Sequence, residues 1–263
     1  MGLVIESFKE SLRIIRENKV ILGVALIYVI ISYTSFIRGP LNIPDFFTLF
    51  IVPFFVGGIF GMSLEALKGK TKLATFAEVG EKNYIRLLIA SALFTIIVGF
   101  ADILEYLRIQ AFSRFDLYGK VSFSIIHRFH LILLIVSAVG LIFMFFLQFF
   151  HIGIVAKNYG VLESFKESYR FTRKQIKEVF HFFLLRLLVE GIDAITRPLI
   201  YFYNTGRLWE RFPEPVYYSL GYNGDITGVA LIITVMALST ISLALTLTFT
   251  AVFYVRAQES GRA

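Results

Sequence analysis

The chain has 263 residues, of which 57% are hydrophobic and 17% are charged, and its formal net charge at neutral pH is +7. A soluble domain of this length cannot bury so much apolar surface, so the composition excludes an ordinary soluble domain and predicts a membrane protein. The absence of cysteine excludes disulfides, thiolate metal sites and cysteine nucleophiles. Four methionines and no cysteine also suit a thermophile.

The first predicted element is a charged helix at 4–19, VIESFKESLRIIRENK, which reappears at 161–178 as VLESFKESYRFTRKQIKE. Each copy has the Ser-x-x-Glu spacing of a capping box, so we expect the helices to begin at Ser7 and Ser164. At a period of 3.6 residues each copy is amphipathic. The predicted apolar faces are Val4, Ile5, Phe8, Leu12 and Ile15 in the first copy, and Val161, Leu162, Phe165, Tyr169, Thr172, Ile176 and Val179 in the second.

A weaker third copy, LATFAEVGEKNYIRLL, begins at Leu73. It keeps the capping-box spacing at Thr75 and Glu78, with Phe76 next to the predicted cap. The three copies predict three repeat units within a single integral membrane domain spanning residues 1–263. The units cover roughly 4–67, 73–156 and 161–256.

Each charged helix leads into apolar sequence long enough to suggest a pair of membrane crossings. The sequence therefore predicts an all-α bundle of six transmembrane helices, arranged as three hairpins that each follow a cytoplasmic amphipathic helix. The crossings are predicted at 20–37, 46–64, 86–103, 129–156, 179–203 and 226–255. In the second crossing, Gly57 and Gly61 form a Gly-x-x-x-Gly pattern that predicts close helix packing.

Lysine and arginine are concentrated in the three charged helices and near the C-terminus. The positive-inside rule then places both chain termini in the cytoplasm, and the protein in the cell membrane as a multi-pass protein. Membrane lipids, including anionic headgroups of the inner leaflet, are the expected partners. Nucleic acid is not expected, while a protein partner or a homo-oligomer stays open.

The predicted fifth crossing carries four charged residues on one side: Arg186, Glu190, Asp193 and Arg197. Their spacing of four, three and four predicts one neutral charged stripe of two ion pairs. Charges facing lipid are costly, so we expect this helix to be central in the bundle. A structural ladder, a hydrated path for an ion or solute, and a catalytic site are the three interpretations of the stripe.

Other polar residues lie near the predicted crossings. Asp102 and Glu105 are one turn apart, as are His127 and His130. We expect all four to face solvent, and a divalent metal bound by all four is the alternative. Gln148 and His151 are expected to satisfy hydrogen bonds inside the bundle. Four hydroxyl residues of the last crossing share one face and predict close packing: Ser239, Ser242, Thr246 and Thr250.

The longest loop, 204–225, contains the only tryptophan, Trp209, and is rich in tyrosine. These residues favour the headgroup level, so we expect the loop to rest on the membrane surface, with a lid over a cavity as the alternative. The sequence contains no Walker lysine loop, dinucleotide fingerprint, zinc-protease motif or nucleophile elbow. We therefore expect no ATP-driven pump, no cofactor and no enzyme in this chain.

The motif Ser-Phe-Lys-x-Ser-x-Arg occurs at Ser7 to Arg13 and at Ser164 to Arg170, each time ahead of a predicted crossing. In this it resembles six-span archaeal and bacterial membrane proteins of unknown function, which are similar to the membrane domain attached to some glycerophosphodiester phosphodiesterases. The resemblance implies a three-hairpin bundle without an assigned activity. Because the phosphodiesterase barrel is absent here, the resemblance assigns no catalytic residue.

These patterns predict a noncatalytic, membrane-embedded binding, scaffold or accessory protein. The alternative is a secondary transporter for an ion or small solute that uses the candidate polar site, and the third possibility is an intramembrane lipid hydrolase. The residues of the candidate site are Arg186, Glu190, Asp193, Arg197, Asp102, Glu105 and His151.

Overall fold

The structure is a computed structural model that describes residues 1–34, 45–100, 104, 123–205 and 226–261, apart from some side chains at the edges of those ranges. The described chain is helical and contains no strand, which confirms the predicted all-α class. Its helices are α1 (Gly2–Glu17), α2 (Val20–Thr34), α3 (Asp45–Ala66), α4 (Leu73–Val98), α5 (Phe123–Leu147), α6 (Phe150–Lys157), α7 (Val161–Lys174), α8 (Ile176–Thr205) and α9 (Ile226–Ser260).

Two stretches of the described chain are long and apolar enough to cross a membrane, Leu131–Lys157 and Ile233–Ser260. Val20–Ser32 and Phe50–Ala66 are also apolar helices but are shorter. Length and composition thus support crossing for two segments, while the complete set of six crossings stays a prediction.

The two ESFKES copies are helical, but neither helix begins at its serine. Helix α1 begins at Gly2, and the Ser11 hydroxyl donates a 2.6 Å hydrogen bond to the carbonyl oxygen of Ser7 one turn earlier. Helix α7 begins after Gly160, whose N–H donates to Glu163 Oε2 at 3.3 Å, while Ser164 lies inside the helix. The capping-box predictions at Ser7 and Ser164 are therefore wrong. The Ser164 hydroxyl donates to the carbonyl oxygen of Val161 at 2.6 Å, and the buried Ser7 hydroxyl has no hydrogen-bond partner among the described residues.

The start of α4 is held by a carboxylate from α3. Glu65 Oε2 accepts hydrogen bonds from the hydroxyls of Thr71 (2.7 Å) and Thr75 (2.6 Å) and from the Lys72 N–H (3.2 Å). The hydrogen bonds from Thr75 and Thr71 lower the pKa of Glu65, which lies just beyond the second predicted crossing. The predicted cap at Thr75 is thus wrong, since Thr75 lies inside α4 and the cap residue is Lys72.

The buried face of each ESFKES copy differs from the predicted apolar face and includes two serines at corresponding positions. In α1 the buried residues are Val4, Ser7, Ser11, Ile14 and Ile15, and in α7 they are Ser164, Ser168 and Thr172. Ile5 and Leu12 of the predicted apolar face are 42% and 46% exposed, and the corresponding Leu162 and Tyr169 are 78% and 44% exposed. The predicted apolar face is therefore divided between the bundle and its surroundings.

One phenylalanine anchors each copy to a neighbouring helix. The Phe8 ring meets Phe249 of α9 edge-on at a centroid distance of 5.5 Å. In the weaker middle copy the corresponding Phe76 meets Phe54 of α3 at 5.1 Å. Phe165 of α7 lies 4.9 Å from Phe150 of α6. We call α1, the first part of α4 and α7 the surface helices, and each is docked by an aromatic pair.

Helices α3 and α4 pack at very short range, as the Gly-x-x-x-Gly pattern predicted. A Cβ atom added to Gly57 would lie 2.6 Å from Leu87 Cδ1, and one added to Gly61 would lie 2.6 Å from Val79 Cβ. Gly58, which the pattern did not single out, would place a Cβ against the Phe76 ring. The glycines thus let the surface part of α4 dock on α3.

Helix α9, not α8, is the central helix of the described part of the chain. Most residues of α9 between Ser239 and Ala257 are buried, whereas only Val179, Phe182 and Val189 are buried among the described side chains of α8. Helix α9 packs against α1, α2, α3 and α8. The prediction that the fifth crossing is central is therefore wrong, because the uncharged, hydroxyl-rich helix can be surrounded by neighbours without burying charge.

The hydroxyl face of α9 packs as predicted. Ser239, Ser242, Thr246 and Thr250 are all buried. The Ser242 hydroxyl donates to the carbonyl oxygen of Val189 in α8 at 2.8 Å, and Thr250 bonds back to Thr246 O at 2.7 Å. Small hydroxyl residues thus bring α9 close to its neighbours.

The predicted fourth crossing is interrupted between α5 and α6. Ser168 of α7 bridges the interruption: its hydroxyl donates to Phe146 O at 3.0 Å and accepts from the Phe149 N–H at 3.1 Å. Phe149 is buried at this point and lies 5.3 Å from Phe182 of α8 and 5.9 Å from Phe253 of α9, between ring centroids. Helix α7 therefore seals the interruption and closes an aromatic core.

Candidate functional site

The charged stripe of the predicted fifth crossing lies on α8. Arg186 Nε donates a 2.7 Å hydrogen bond to Glu190 Oε1, so the first predicted ion pair is present. Both side chains are partly exposed in the isolated chain. The side chains of Asp193 and Arg197 lie outside the described residues, so the stripe as a whole stays a prediction.

His151 belongs to α6 and contacts α4. Its Nε2 lies 3.0 Å from Ser91 Oγ, and its ring lies against Phe150 with a centroid distance of 3.7 Å. The structure thus places His151 against Ser91 and Phe150, and no hydrogen bond or ion pair between described residues joins it to Arg186.

The other predicted polar residues are only partly described. Asp102, Glu105 and the 206–225 part of the loop with Trp209 lie outside the described residues, as do the side chains of His127 and His130. Where side chains are described, no group of three His, Cys, Asp or Glu residues could hold a metal ion. Gln148 donates to the carbonyl oxygen of Phe145 at 2.9 Å, a hydrogen bond inside the bundle.

A two-pronged ion pair connects α1 to the end of α9. Arg256 donates to Glu10 through Nε at 2.9 Å and through Nη2 at 2.7 Å, and the Glu10 side chain is only 15% exposed. Arg13 adds a third contact to the same carboxylate at 3.2 Å. The hydrogen bond from Arg256 is the main reason that the pKa of Glu10 lies below its usual value of 4.5.

Two amide residues end the two ESFKES helices at corresponding positions. Asn18 follows α1, donates to Ile14 O at 3.0 Å and accepts from the Thr71 N–H at 3.0 Å, so both of its amide atoms are used. Gln175 follows α7 and donates to Ala257 O at 2.6 Å, but its buried Oε1 has no partner among the described residues. At the end of α1 both amide atoms are therefore hydrogen-bonded, whereas at the end of α7 one buried acceptor has no partner among the described residues.

A polar cavity of about 270 Å³ lies beside Gln175, between α7, the turn before it and the end of α9. Three of its lining residues are basic, Lys157, Arg170 and Lys174, and one, Glu167, is acidic. Glu167 and Arg170 form an ion pair with each other. Tyr159, Tyr254, Gln175 and Gln258 supply further hydrogen-bonding groups to the lining. The cavity is thus polar and carries an excess of positive charge.

The sequence pattern did not identify this cavity. It indicated a basic segment, but it could not show that Lys157, Lys174 and the end of α9 come together. One signal was present: Lys174 corresponds to Glu17 in the first copy, so the sign of the charge differs at this single position in otherwise similar helices.

Fold and sites together define an all-helical protein with segments suited to crossing a membrane and a packed, charged end built by surface helices. The chain belongs to the family described as Domain of unknown function (DUF7847), whose family model matches residues 3–257. No curated protein matches the chain, and no solved structure matches it. The family description lends no support to the resemblance to the phosphodiesterase membrane domain, and transport, an archaeal source and a thermophilic source stay predictions.

Proposed function

We propose that this protein is a six-span, noncatalytic membrane protein whose surface helices lie in the inner leaflet and form a scaffold for lipid or partner binding. The observation that carries the proposal is an apolar stripe on the outer side of the surface helices. Ile5 and Leu12 in α1, and Leu162 and Tyr169 in α7, are exposed at corresponding positions. Each of these two helices thus has a serine-containing face that docks on the bundle, and beside it apolar residues that stay exposed in the described part of the chain.

A single exposed leucine is common on protein surfaces, but exposed apolar residues at the same positions of several helices indicate a contact surface. Leu73, at the corresponding position of the middle copy, is also 58% exposed. At 3.6 residues per turn the exposed apolar residues adjoin the docked face, and the charged residues occupy the rest of the circumference, as expected for a helix in the plane of a membrane interface. Many exposed apolar residues on α4, α5 and α8 add a wider apolar surface, including Ile85, Ile89, Ile96, Leu131, Leu134, Ile135, Leu184 and Leu188. This surface supports insertion of the whole bundle in lipid.

The packing order supports the three proposed units. The surface part of α4 packs on α3, α7 packs on α5 and α6, and α1 packs on α9. In each case a surface helix docks on the final helix of the preceding proposed unit, and α1 closes the ring. Gly69 and Asn158, which both have positive φ, each lie six positions before the Thr or Ser of the following copy, Thr75 or Ser164.

The noncatalytic interpretation is supported by how the polar groups are used. The carboxylates of Glu10 and Glu65 accept hydrogen bonds that hold helices and loops together. Arg186 and Glu190 neutralise each other. Within the described side chains, these acids serve packing, which fits a scaffold better than an active site.

Because the chain has no cysteine, single cysteines can report how deep each position lies in the membrane. Leu162→Cys and the adjacent control Glu163→Cys would each be labelled with a fluorophore in the full-length protein and reconstituted in lipid. We expect spin-labelled lipids to quench the label at 162 strongly and the label at 163 weakly. Equal quenching at the two positions would contradict placement of α7 in the interface.

The Arg186–Glu190 pair on α8 supports a second candidate, a transporter for an ion or small solute. Transport predicts that Glu190→Gln abolishes flux in proteoliposomes while the thermal stability is kept. A structural pair predicts that Glu190→Gln lowers the melting temperature and that adding Arg186→Met restores part of it, because the unpaired charge is removed. Flux and melting curves of these two variants distinguish the candidates.

A further inference from the structure

We propose that the cavity between α7 and the end of α9 binds a phosphate-type anion, and that the anion is either a lipid headgroup or a soluble phosphate group. This inference names a ligand class for the proposed scaffold and rests on it only for the lipid source. Three observations support it: the positive charge of the lining, the lack of an anionic partner for Lys157 and Lys174 and of a hydrogen-bond partner for Gln175 Oε1 among the described residues, and the contrast with the first ESFKES copy.

The cavity contains more positive charge than its own acid can neutralise. Glu167 pairs with Arg170, which leaves Lys157 and Lys174. Lys157 has no hydrogen bond or ion pair with any described residue, and Lys174 has only a 3.4 Å hydrogen bond to the carbonyl oxygen of Gly261. Two ammonium groups without an anionic partner, together with a guanidinium oriented by Glu167, match the charge of a phosphate.

The remaining lining residues suit the oxygen atoms and hydroxyls of a phosphate ester. The tyrosines and Gln258 can donate or accept hydrogen bonds. Gln175 supplies a buried Oε1 that has no partner among the described residues, which is an acceptor for a ligand hydroxyl. A volume of about 270 Å³ is large enough for a phosphate with a small attached group.

In the first ESFKES copy, α1, the corresponding polar groups bond to other residues of the protein. There Glu10, which corresponds to Glu167, receives Arg256 from α9 in a two-pronged ion pair. Position 17 is a glutamate where α7 has Lys174, and Asn18 uses both of its amide atoms within the protein. The protein pairs Glu10 internally at the first site, whereas at the second it leaves the exposed Lys157 and Lys174 beside the cavity without an anionic partner among the described residues.

The difference between α1 and α7 suggests a charge-reversal variant of the cavity. Lys174→Glu places in α7 the residue that α1 carries at the corresponding position. Arg173→Glu changes charge by the same amount at the next residue, which is exposed and does not line the cavity. Lys157→Gln is a second cavity variant, located outside α7.

Binding would be measured by native mass spectrometry of the full-length protein in detergent, with phosphatidylglycerol, phosphatidylcholine and inorganic phosphate as separate probes. We expect Lys174→Glu and Lys157→Gln to weaken binding about tenfold and Arg173→Glu to change it less than about twofold. That pattern with phosphatidylglycerol supports a headgroup site, and the same pattern with inorganic phosphate alone supports a site for a soluble phosphate group. Equal losses in Lys174→Glu and Arg173→Glu, or no loss in either cavity variant, would overturn the proposal.

The outcome is separable from that of the scaffold proposal. The cavity variants are read in detergent by bound mass, whereas placement of α7 in the interface is read in lipid by quenching at position 162. Melting curves of Lys174→Glu and Lys157→Gln check that both variants are folded.

Discussion

Helices α1 and α7 share the sequence ESFKES and bury the same two serine positions, yet they dock on different partners. Helix α1 packs on the continuous helix α9 and is fixed there by Arg256, whereas α7 packs on an interrupted helix that it seals with Ser168. The shared residues therefore determine which face is buried, and the neighbouring residues determine whether that face closes a site or leaves a cavity.

The largest expected effect tests the shared buried face. Ser11→Leu and Ser168→Leu would each insert a large side chain at a fully buried serine. Overpacking of this kind costs about 1–3 kcal/mol or more, and we expect both variants to lose stability to a similar degree in thermal unfolding in detergent. Leu12→Ser, one position from Ser11 on the exposed stripe, is the matched control. A stable Ser11→Leu would show that α1 does not dock through its serine face.

The next pair of variants should affect α1 and α7 differently. Ser168→Ala removes the hydroxyl that serves both Phe146 O and the Phe149 N–H, so buried backbone groups lose their partner, which costs about 1–3 kcal/mol. Ser11→Ala removes a hydroxyl that bonds only within its own helix, to Ser7 O. We expect Ser11→Ala to change the unfolding free energy by less than about 0.5 kcal/mol. Equal losses in the two variants would remove the proposed difference between α1 and α7.

A smaller effect is expected from the Glu10 ion pair. Glu10→Gln weakens its hydrogen bonds to Arg256 and should cost about 1 kcal/mol. Glu167→Gln should cost less, because the Glu167 carboxylate pairs with the exposed Arg170. Thermal unfolding of the two variants at neutral pH measures the difference. A loss for Glu167→Gln as large as that for Glu10→Gln would contradict it.

The same pair predicts a pH dependence. Because the pKa of Glu10 is lower in the folded than in the unfolded protein, the pair adds stability above the usual value of 4.5, and this stability is lost as the pH falls through the folded pKa. Wild-type protein should therefore lose more stability on acidification than Glu10→Gln does. Parallel pH curves for the two proteins would show that the pair does not contribute.

The smallest effect concerns the exposed stripe. Leu162→Ser should change thermal stability in detergent by no more than about 0.5 kcal/mol, because Leu162 is 78% exposed. In lipid vesicles the same variant should reduce the membrane depth of α7, measured by quenching at a label placed on position 169. A large stability loss in detergent would indicate that Leu162 packs inside the protein.

The sequence predicted the helical class, the two matching helices and the close packing at Gly57 and Gly61, because these follow from periodicity and residue size. It misplaced the helix starts, since a Ser-x-x-Glu spacing is the same whether the serine caps a helix or lies inside it. It also could not show that Glu65 holds the start of α4. A residue from another helix fills that role, and local sequence does not report such contacts.

In the candidate site, too, local contacts could be predicted from the sequence and contacts between distant helices could not. The spacing of Arg186 and Glu190 predicted their ion pair, because residues four apart meet on one helix. The choice of α9 as the central helix and the meeting of Lys157 with Lys174 depended on tertiary packing. By itself the sequence determined composition, helical periodicity and the charge difference between Glu17 and Lys174. Only the tertiary structure decided which charges are paired, because pairing depends on how distant helices are packed together.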